Sequence, residues 1–140
     1  DLHLLMVGEG DQKKEGLALA ESLALQHAIT FQPFRPDVPE VLAAGDIYVL
    51  PSIWEGLPIG LLEAMAMEKA VIGTNVDGTR EVIQHMKNGW LAQGQDVEVA
   101  VADAILQLAA DSNLRSTLGK QARKDMLHDF SAAEMTHQIE

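Results

Sequence analysis

Residues 47–73 read IYVL-PSIWEGLPIG-LLEAMAMEKA-VIG, and the reading of the fold starts there. Ile47-Tyr48-Val49-Leu50 is a short run of large apolar side chains stopped by Pro51-Ser52. Proline has no N–H to give a strand ladder, so a strand ends there. From Gly60 to Lys69 the apolar spacing is helical, and Ala70-Val71-Ile72-Gly73 is a second apolar run. Two strands without polar alternation, joined by a helix, form a βαβ unit. Strands of that kind lie parallel, with both faces of their sheet covered.

The same alternation extends outward in both directions. Upstream, Leu2–Val7 reads as a strand closed by Gly8-Glu9-Gly10. Gln12–Gln26 has helical spacing with Leu17, Ala20, Leu23 and Ala24 on one face. Ala28-Ile29-Thr30-Phe31 is another strand and Val38–Ala44 a short helix. Downstream, Thr79–His85 is a short helix, and Gly89-Trp90-Leu91-Ala92 a strand after an Asn-Gly turn. Asp96 caps a helix to about Ala109, Asp111 or Ser112 caps the next to about His128, and Ser131-Ala132-Ala133-Glu134 has capping-box spacing for a last helix. Strands at about 2–7, 28–31, 47–50, 70–73 and 89–92 are therefore expected in one parallel sheet. The expectation is an α/β, three-layer, Rossmann-like domain over residues 1–140, binding ligands at the carboxyl ends of its strands.

Composition narrows the function. The 140 residues hold 10 basic and 21 acidic side chains, a formal net charge of −11. That disfavours a phosphate-tracking nucleic-acid binder, which concentrates Lys and Arg, and docking of this chain to anionic lipid. There is no cysteine, so disulfides, thiolate nucleophiles and Cys-based metal sites are excluded. Apolar stretches such as Ile47–Leu50 and Val99–Ala102 fall far short of the roughly 20 residues of a membrane span. The chain opens at Asp1 and runs straight into an apolar strand, which we read as a piece of a longer protein.

The chemistry is expected between Pro51 and Ala66. A Gly/Pro-rich loop follows a strand and enters a helix near Gly60, where backbone amides and the helix dipole attract an anion such as phosphate. Glu55 lies in the loop and Glu63 in what reads as the first helical turn. Together they suit a ligand with both phosphates and sugar hydroxyls. Taken singly, Glu63 also reads as a charge at the positive end of a helix, and Glu55 as a solvated loop charge. Elsewhere the signals are weaker. Five histidines lack paired metal spacing, no Asp-x-Asp is present, and Gly8-Glu9-Gly10 lacks the third glycine of a dinucleotide fingerprint. Arg115, Lys120, Arg123 and Lys124 read as a solvated helix face, Trp90 as core, and Trp54 as either pocket lip or core.

Glu55-x7-Glu63, framed by Pro51-Ser52 and Glu63-Ala64-Met65-Ala66, resembles the signature of family 4 retaining glycosyltransferases of the GT-B fold. Leu5-Met6-Val7-Gly8-Glu9-Gly10, Phe34–Pro39, Ala44–Ser52, Gly78–Ile83 and Asn88–Leu91 resemble other parts of that family in the same order. The resemblance implies the second of two Rossmann-like halves, binding a UDP-, GDP- or ADP-linked sugar without a metal. It implies that Glu63 holds the ribose hydroxyls and that Glu55 is the catalytic carboxylate at the donor-sugar hydroxyls. Gly56, Leu57, Pro58 and Ile59 would face the diphosphate and sugar, with Leu57 and Ile59 the amide donors because Pro58 has none. Phe34 and Arg35 would line the base pocket, each against the plainer reading of core residue and surface charge. Gly8 would belong to the donor site.

The chain departs from the family where Leu57-Pro58 replaces a common Phe-Gly and where Pro33 replaces a common Gly. The family's diphosphate-neutralising Arg and Lys precede the equivalent of Leu2, and its acceptor domain precedes those. This stretch alone is therefore expected not to transfer sugar efficiently. The resemblance implies a cytoplasmic enzyme, membrane-peripheral if at all through the acceptor domain. A nucleotide-sugar epimerase of the same fold and a non-catalytic α/β interaction module are the alternatives.

Overall fold

The computed structural model describes residues 1–130. The helix expected from Ser131 lies outside the described residues. The chain divides into two compact units, residues 1–41 and 42–140.

The first unit contains strand β1 (Leu4–Val7), helix α1 (Lys13–Ser22), a 3-10 turn (Gln26–Ala28) and strand β2 (Ile29–Gln32), and helix α2 (Val38–Ala43) crosses the boundary. β1 and β2 pair in parallel, Leu4 opposite Ile29 through Val7 opposite Gln32. Helix α1 stops four residues short of the expected end. Ala24 adopts φ 54°, and Leu25 N–H bonds the Ala20 carbonyl at 2.8 Å, closing the helix without a glycine signal. Of the expected apolar stripe only Ala20 is buried, and all four side chains of β1 are exposed.

The second unit contains β3 (Ile47–Leu50), α3 (Ile59–Ala66), β4 (Ala70–Thr74), α4 (Asp77–Val82), β5 (Trp90–Ala92), α5 (Val97–Ala110) and α6 (Ser112–Asp129). Its sheet runs β3-β4-β5 with both pairs parallel, Ile47 opposite Ala70 and Ile72 opposite Trp90. β4 is buried along its whole length because a helical layer covers each face. On one side Leu61, Leu62 and Met65 of α3 and Ala122 of α6 enclose Val71. On the other, Ala104 and Leu108 of α5 and Leu118 of α6 enclose Ala70 and Ile72. The three-layer parallel architecture is as expected.

One part of that expectation is corrected. The five strands form a two-stranded and a three-stranded sheet, not a single one. Periodicity tells that a strand is buried and parallel but not which strand is its neighbour. No ladder joins β2 to β3.

Helix ends follow local chemistry. Asp96 and Asp111 cap α5 and α6, their carboxylates accepting from Val99 N–H at 3.1 Å and Leu114 N–H at 2.9 Å. Helix α3 ends three residues before the expected Lys69. Glu68 takes φ 58°, and Lys69 N–H and Glu68 N–H bond back to Ala64 and Met65, the two bonds of a Schellman motif. Arg123 then donates to the Ala66 carbonyl at 2.5 Å, and Arg115 to the Leu108 and Ala109 carbonyls. These two cations, expected on a solvated face, satisfy the last carbonyls of α3 and α5.

Candidate functional site

The segment between β3 and α3 is fixed at its start, middle and end. Thr74 at the end of β4 donates its hydroxyl to the Ser52 carbonyl. Ser52 in turn donates to Glu55 Oε1 at 2.6 Å, turning that carboxylate back over its own loop. Gly78 N–H, at the start of α4, bonds the Glu55 carbonyl at 3.2 Å. The approach is so close that a β-carbon on Gly78 would stand 1.7 Å from the Gly56 carbonyl oxygen. Only glycine allows α4 to press on the loop there.

Pro58 sets the end of the segment. Its φ of −80° and ψ of 82° place it at the centre of an inverse γ-turn, in which Ile59 N–H donates to the Leu57 carbonyl at 3.0 Å. The Pro58 carbonyl then accepts from both Leu61 and Leu62. Ile59, expected as an amide donor, thus has its N–H engaged. The N–H groups of Leu57 and Gly60 have no hydrogen-bond partner among the described residues. Both stand at the amino end of α3, the positive end of its dipole.

Glu63 is exposed and is the fifth residue of α3, because the helix begins at Ile59. The expected first-turn position is therefore corrected, and no acidic residue occupies that turn. The dipole's effect falls off within one turn. A charge–dipole role explains Glu63 less well here than at a helix start.

Tyr48, on β3, packs its ring against the core beside α3. A β-carbon on Gly60 would lie 2.7 Å from its hydroxyl oxygen. Burial, then the charges of Glu55 and Glu63, raise the phenol pKa, so Tyr48 is neutral and protonated at physiological pH. Sequence reasoning passed over Tyr48; its strand periodicity gave only a core position.

The remaining candidates are placed as follows. Trp54 is 78% exposed, which removes the core reading. Trp90 is partly buried against the α5 side of the sheet and meets the His85 ring edge-on at 5.4 Å. In the first unit Phe34 is 72% exposed, so it is not a core residue. Arg35 is engaged by Asp37 through both Nε, at 2.7 Å, and Nη2. The guanidinium holds the Asp37 carboxyl below the usual carboxylate range. Gly8 ends β1 at φ 137°, a conformation that favours glycine, and its N–H bonds the Gln32 carbonyl. On the α5 side of the strand ends a groove of about 540 Å³ is lined by Pro51, Ser52, Thr74, Val76 and Val101. Neither Glu55 nor Glu63 lines it. Among the described residues no group of three or more His, Asp or Glu gathers as metal ligands would, and no helix is long and apolar enough to cross a membrane.

A three-layer parallel α/β unit of this kind falls in the doubly wound class, whose ligands lie beyond the carboxyl ends of the strands. The chain belongs to the glycosyl transferases group 1 family, whose model matches residues 1–125. It is 36% identical over 140 residues to the N-acetyl-alpha-D-glucosaminyl L-malate synthase of Bacillus anthracis, covering all of this chain and 36% of that protein. It is also 36% identical over 138 residues to the putative glycosyltransferase EpsD of Bacillus subtilis, covering 99% of this chain and 36% of the relative. The chain thus spans about a third of the length of these curated relatives. Its fold matches Anabaena Alr3699/HepE, solved in complex with UDP and glucose, at a TM-score of 0.91 and 25% identity. That match covers 98% of this chain and 39% of the other. The match to the sucrose-phosphate synthase of Thermosynechococcus elongatus has a TM-score of 0.87 and 27% identity, covering 98% and 36%.

Proposed function

We propose that residues 1–140 are the donor-binding domain of a retaining glycosyltransferase of family 4, which moves a sugar from a nucleoside diphosphate to an acceptor held by another domain. The observation that carries this reading is the turn at Pro58: unpartnered N–H groups on Leu57 and Gly60 at the amino end of α3, flanked by Glu55 and Glu63. Those amides and the helix dipole stabilise the charge that grows on the departing diphosphate, where a fixed donor contributes most to the rate. Glu63, one turn further on, accepts from the ribose hydroxyls. Glu55, its loop pinned by Thr74 and Gly78, accepts from the hydroxyls of the transferred sugar and is the catalytic carboxylate. Gly56 lets the sugar approach the loop backbone. In the first unit, Phe34 offers an exposed ring for stacking a base and Arg35 lies beside it in sequence, while Gly8 shapes the turn after β1.

The donor is a UDP-, GDP- or ADP-linked sugar, a family relation supported by the UDP complexes among the structural neighbours. The setting proposed is the cytoplasm. The test has two stages on the full-length protein. Thermal shift with UDP, GDP and ADP identifies the base, since a ligand of the native state alone raises its melting temperature. Product analysis with the matching nucleotide sugar follows, and the anomeric configuration of the product is read by NMR. Binding without an axial-to-axial or equatorial-to-equatorial outcome refutes retention. Absence of any nucleotide binding refutes the reading as a whole.

A further inference from the structure

Tyr48 carries the one hydroxyl at the amino end of α3 that the proposed roles do not use. Three observations bear on it. The ring is packed on β3, partly buried, against the core cluster that contains Leu61, Leu62 and Met65. The hydroxyl comes so near Gly60 that any β-carbon there would be 2.7 Å away, so the absence of a side chain at Gly60 is what lets the oxygen reach the first turn of α3. And that hydroxyl has no hydrogen-bond partner among the described residues, on a ring that is only partly buried. A partly buried phenol with no protein partner, beside Gly60, is free to donate to an acceptor from outside the chain.

We propose that the Tyr48 hydroxyl donates a hydrogen bond to a phosphate oxygen of the bound nucleoside diphosphate, completing with the Leu57 and Gly60 amides a three-donor cradle. The inference rests on the donor-binding reading above and adds a side-chain ligand to it. A phosphate oxygen fits better than a ribose hydroxyl. The hydroxyl stands at the amide-lined end of α3, whereas the carboxylate suited to ribose is Glu63, one turn beyond. The chemistry also has the right polarity. Glu55 and Glu63 disfavour the phenolate, so Tyr48 keeps its proton and acts as a donor toward an anion. A phenylalanine at this position would fill the same space and leave the cradle one donor short.

The experiment is Tyr48→Phe in the full-length protein, compared with wild type for binding of UDP, GDP and ADP and of the corresponding nucleosides by calorimetry. Only one oxygen is removed and the ring packing is kept, so the melting temperature without ligand stays within a degree or two. The expected result is an affinity for the preferred nucleoside diphosphate about tenfold lower, with the nucleoside affinity unchanged, as befits a lost bond to a charged group. KM for the nucleotide sugar rises in parallel. An equal loss for nucleoside and diphosphate places the hydroxyl at the ribose and overturns the proposal. So does an unchanged diphosphate affinity. Glu63→Gln, measured alongside, separates the two levels. If it weakens binding while Tyr48→Phe does not, the donor site stands and the role of Tyr48 falls. If the wild type binds no nucleotide, both fall.

Discussion

Gly78→Ala is the substitution that tests most directly whether the loop geometry matters. The new β-carbon would start 1.7 Å from the Gly56 carbonyl oxygen, 2.7 Å from its carbon and 2.9 Å from the Glu55 carbonyl oxygen. Carbon and oxygen rest at about 3.3 Å or more, so the loop and α4 must separate by roughly 1.6 Å. All three obstacles are backbone atoms, and no rotamer change relieves them. The separation stretches the bond from Gly78 N–H to the Glu55 carbonyl, 3.2 Å long, beyond use. Overpacking of this kind costs about 1–3 kcal/mol of stability. On the roles proposed for Glu55 and Gly56, the residues displaced, the functional effect is larger. A misplacement of about 1 Å at a reacting centre can cost a hundredfold in rate. We expect kcat/KM for sugar transfer to fall about a hundredfold at a temperature where the variant remains folded. Gly119→Ala is the control. Its β-carbon would lie 2.1 Å from the Glu68 carbonyl oxygen, a comparable backbone clash at the far end of α3. It destabilises by a similar amount and leaves kcat/KM of the folded enzyme near wild type. If Gly78→Ala and Gly119→Ala lose stability alike and neither loses activity, the loop carries no catalytic geometry and the argument fails.

Other outcomes follow from the same contacts. Glu63→Gln keeps the size of the side chain but replaces an acceptor by a donor, which should weaken nucleotide binding by about 1.5–3 kcal/mol with little change in melting temperature; unchanged affinity in calorimetry would leave Glu63 a surface charge. Asn88 is 1% exposed and bonds Gln84 N–H, the Val82 carbonyl and Asp125, so Asn88→Ala leaves buried groups unpaired and should cost about 2–4 kcal/mol in denaturant unfolding. The Tyr48 phenol is raised above its ordinary value of 10.0 in the folded chain. Its contribution is therefore full below that pH and lost as pH climbs through the folded value. Alkaline stability curves of wild type should fall more steeply than those of Tyr48→Phe, and identical curves would contradict the shift.

The legible part of the fold was carried by β3, α3 and β4. Their strands are apolar end to end, which only a doubly covered parallel sheet explains, and β4 is buried at all five positions. Asp96 and Asp111 were readable as caps because capping is local, the acceptor lying three residues from its donor. What could not be read depends on distant partners. Arg123 looks like surface charge until the Ala66 carbonyl, 57 residues away, is brought to it. Glu68 and Ala24 close their helices in the left-handed region without glycine, so no sequence signal marked those ends. The division into two sheets was hidden for a similar reason, since ladder partners are a property of topology and not of period. At the site, the Glu55 and Glu63 spacing was visible, but the fifth-residue position of Glu63 depended on where α3 begins.

That starting point is set by Pro58, and it bears on how the site works. A proline in an inverse γ-turn fixes one φ, takes Ile59 N–H out of use and leaves the N–H groups on either side of that pair, at Leu57 and Gly60, without partners. Thr74 and Gly78 meanwhile tether the loop to β4 and α4, elements whose buried residues belong to the core. Under the proposed function these amides are oriented before any ligand arrives, and little reorganisation would remain to oppose charge developing on a leaving group. A Phe-Gly in place of Leu57-Pro58 would lack the fixed φ. Here Pro58 fixes that φ, and the N–H groups left without partners are those that flank Pro58-Ile59.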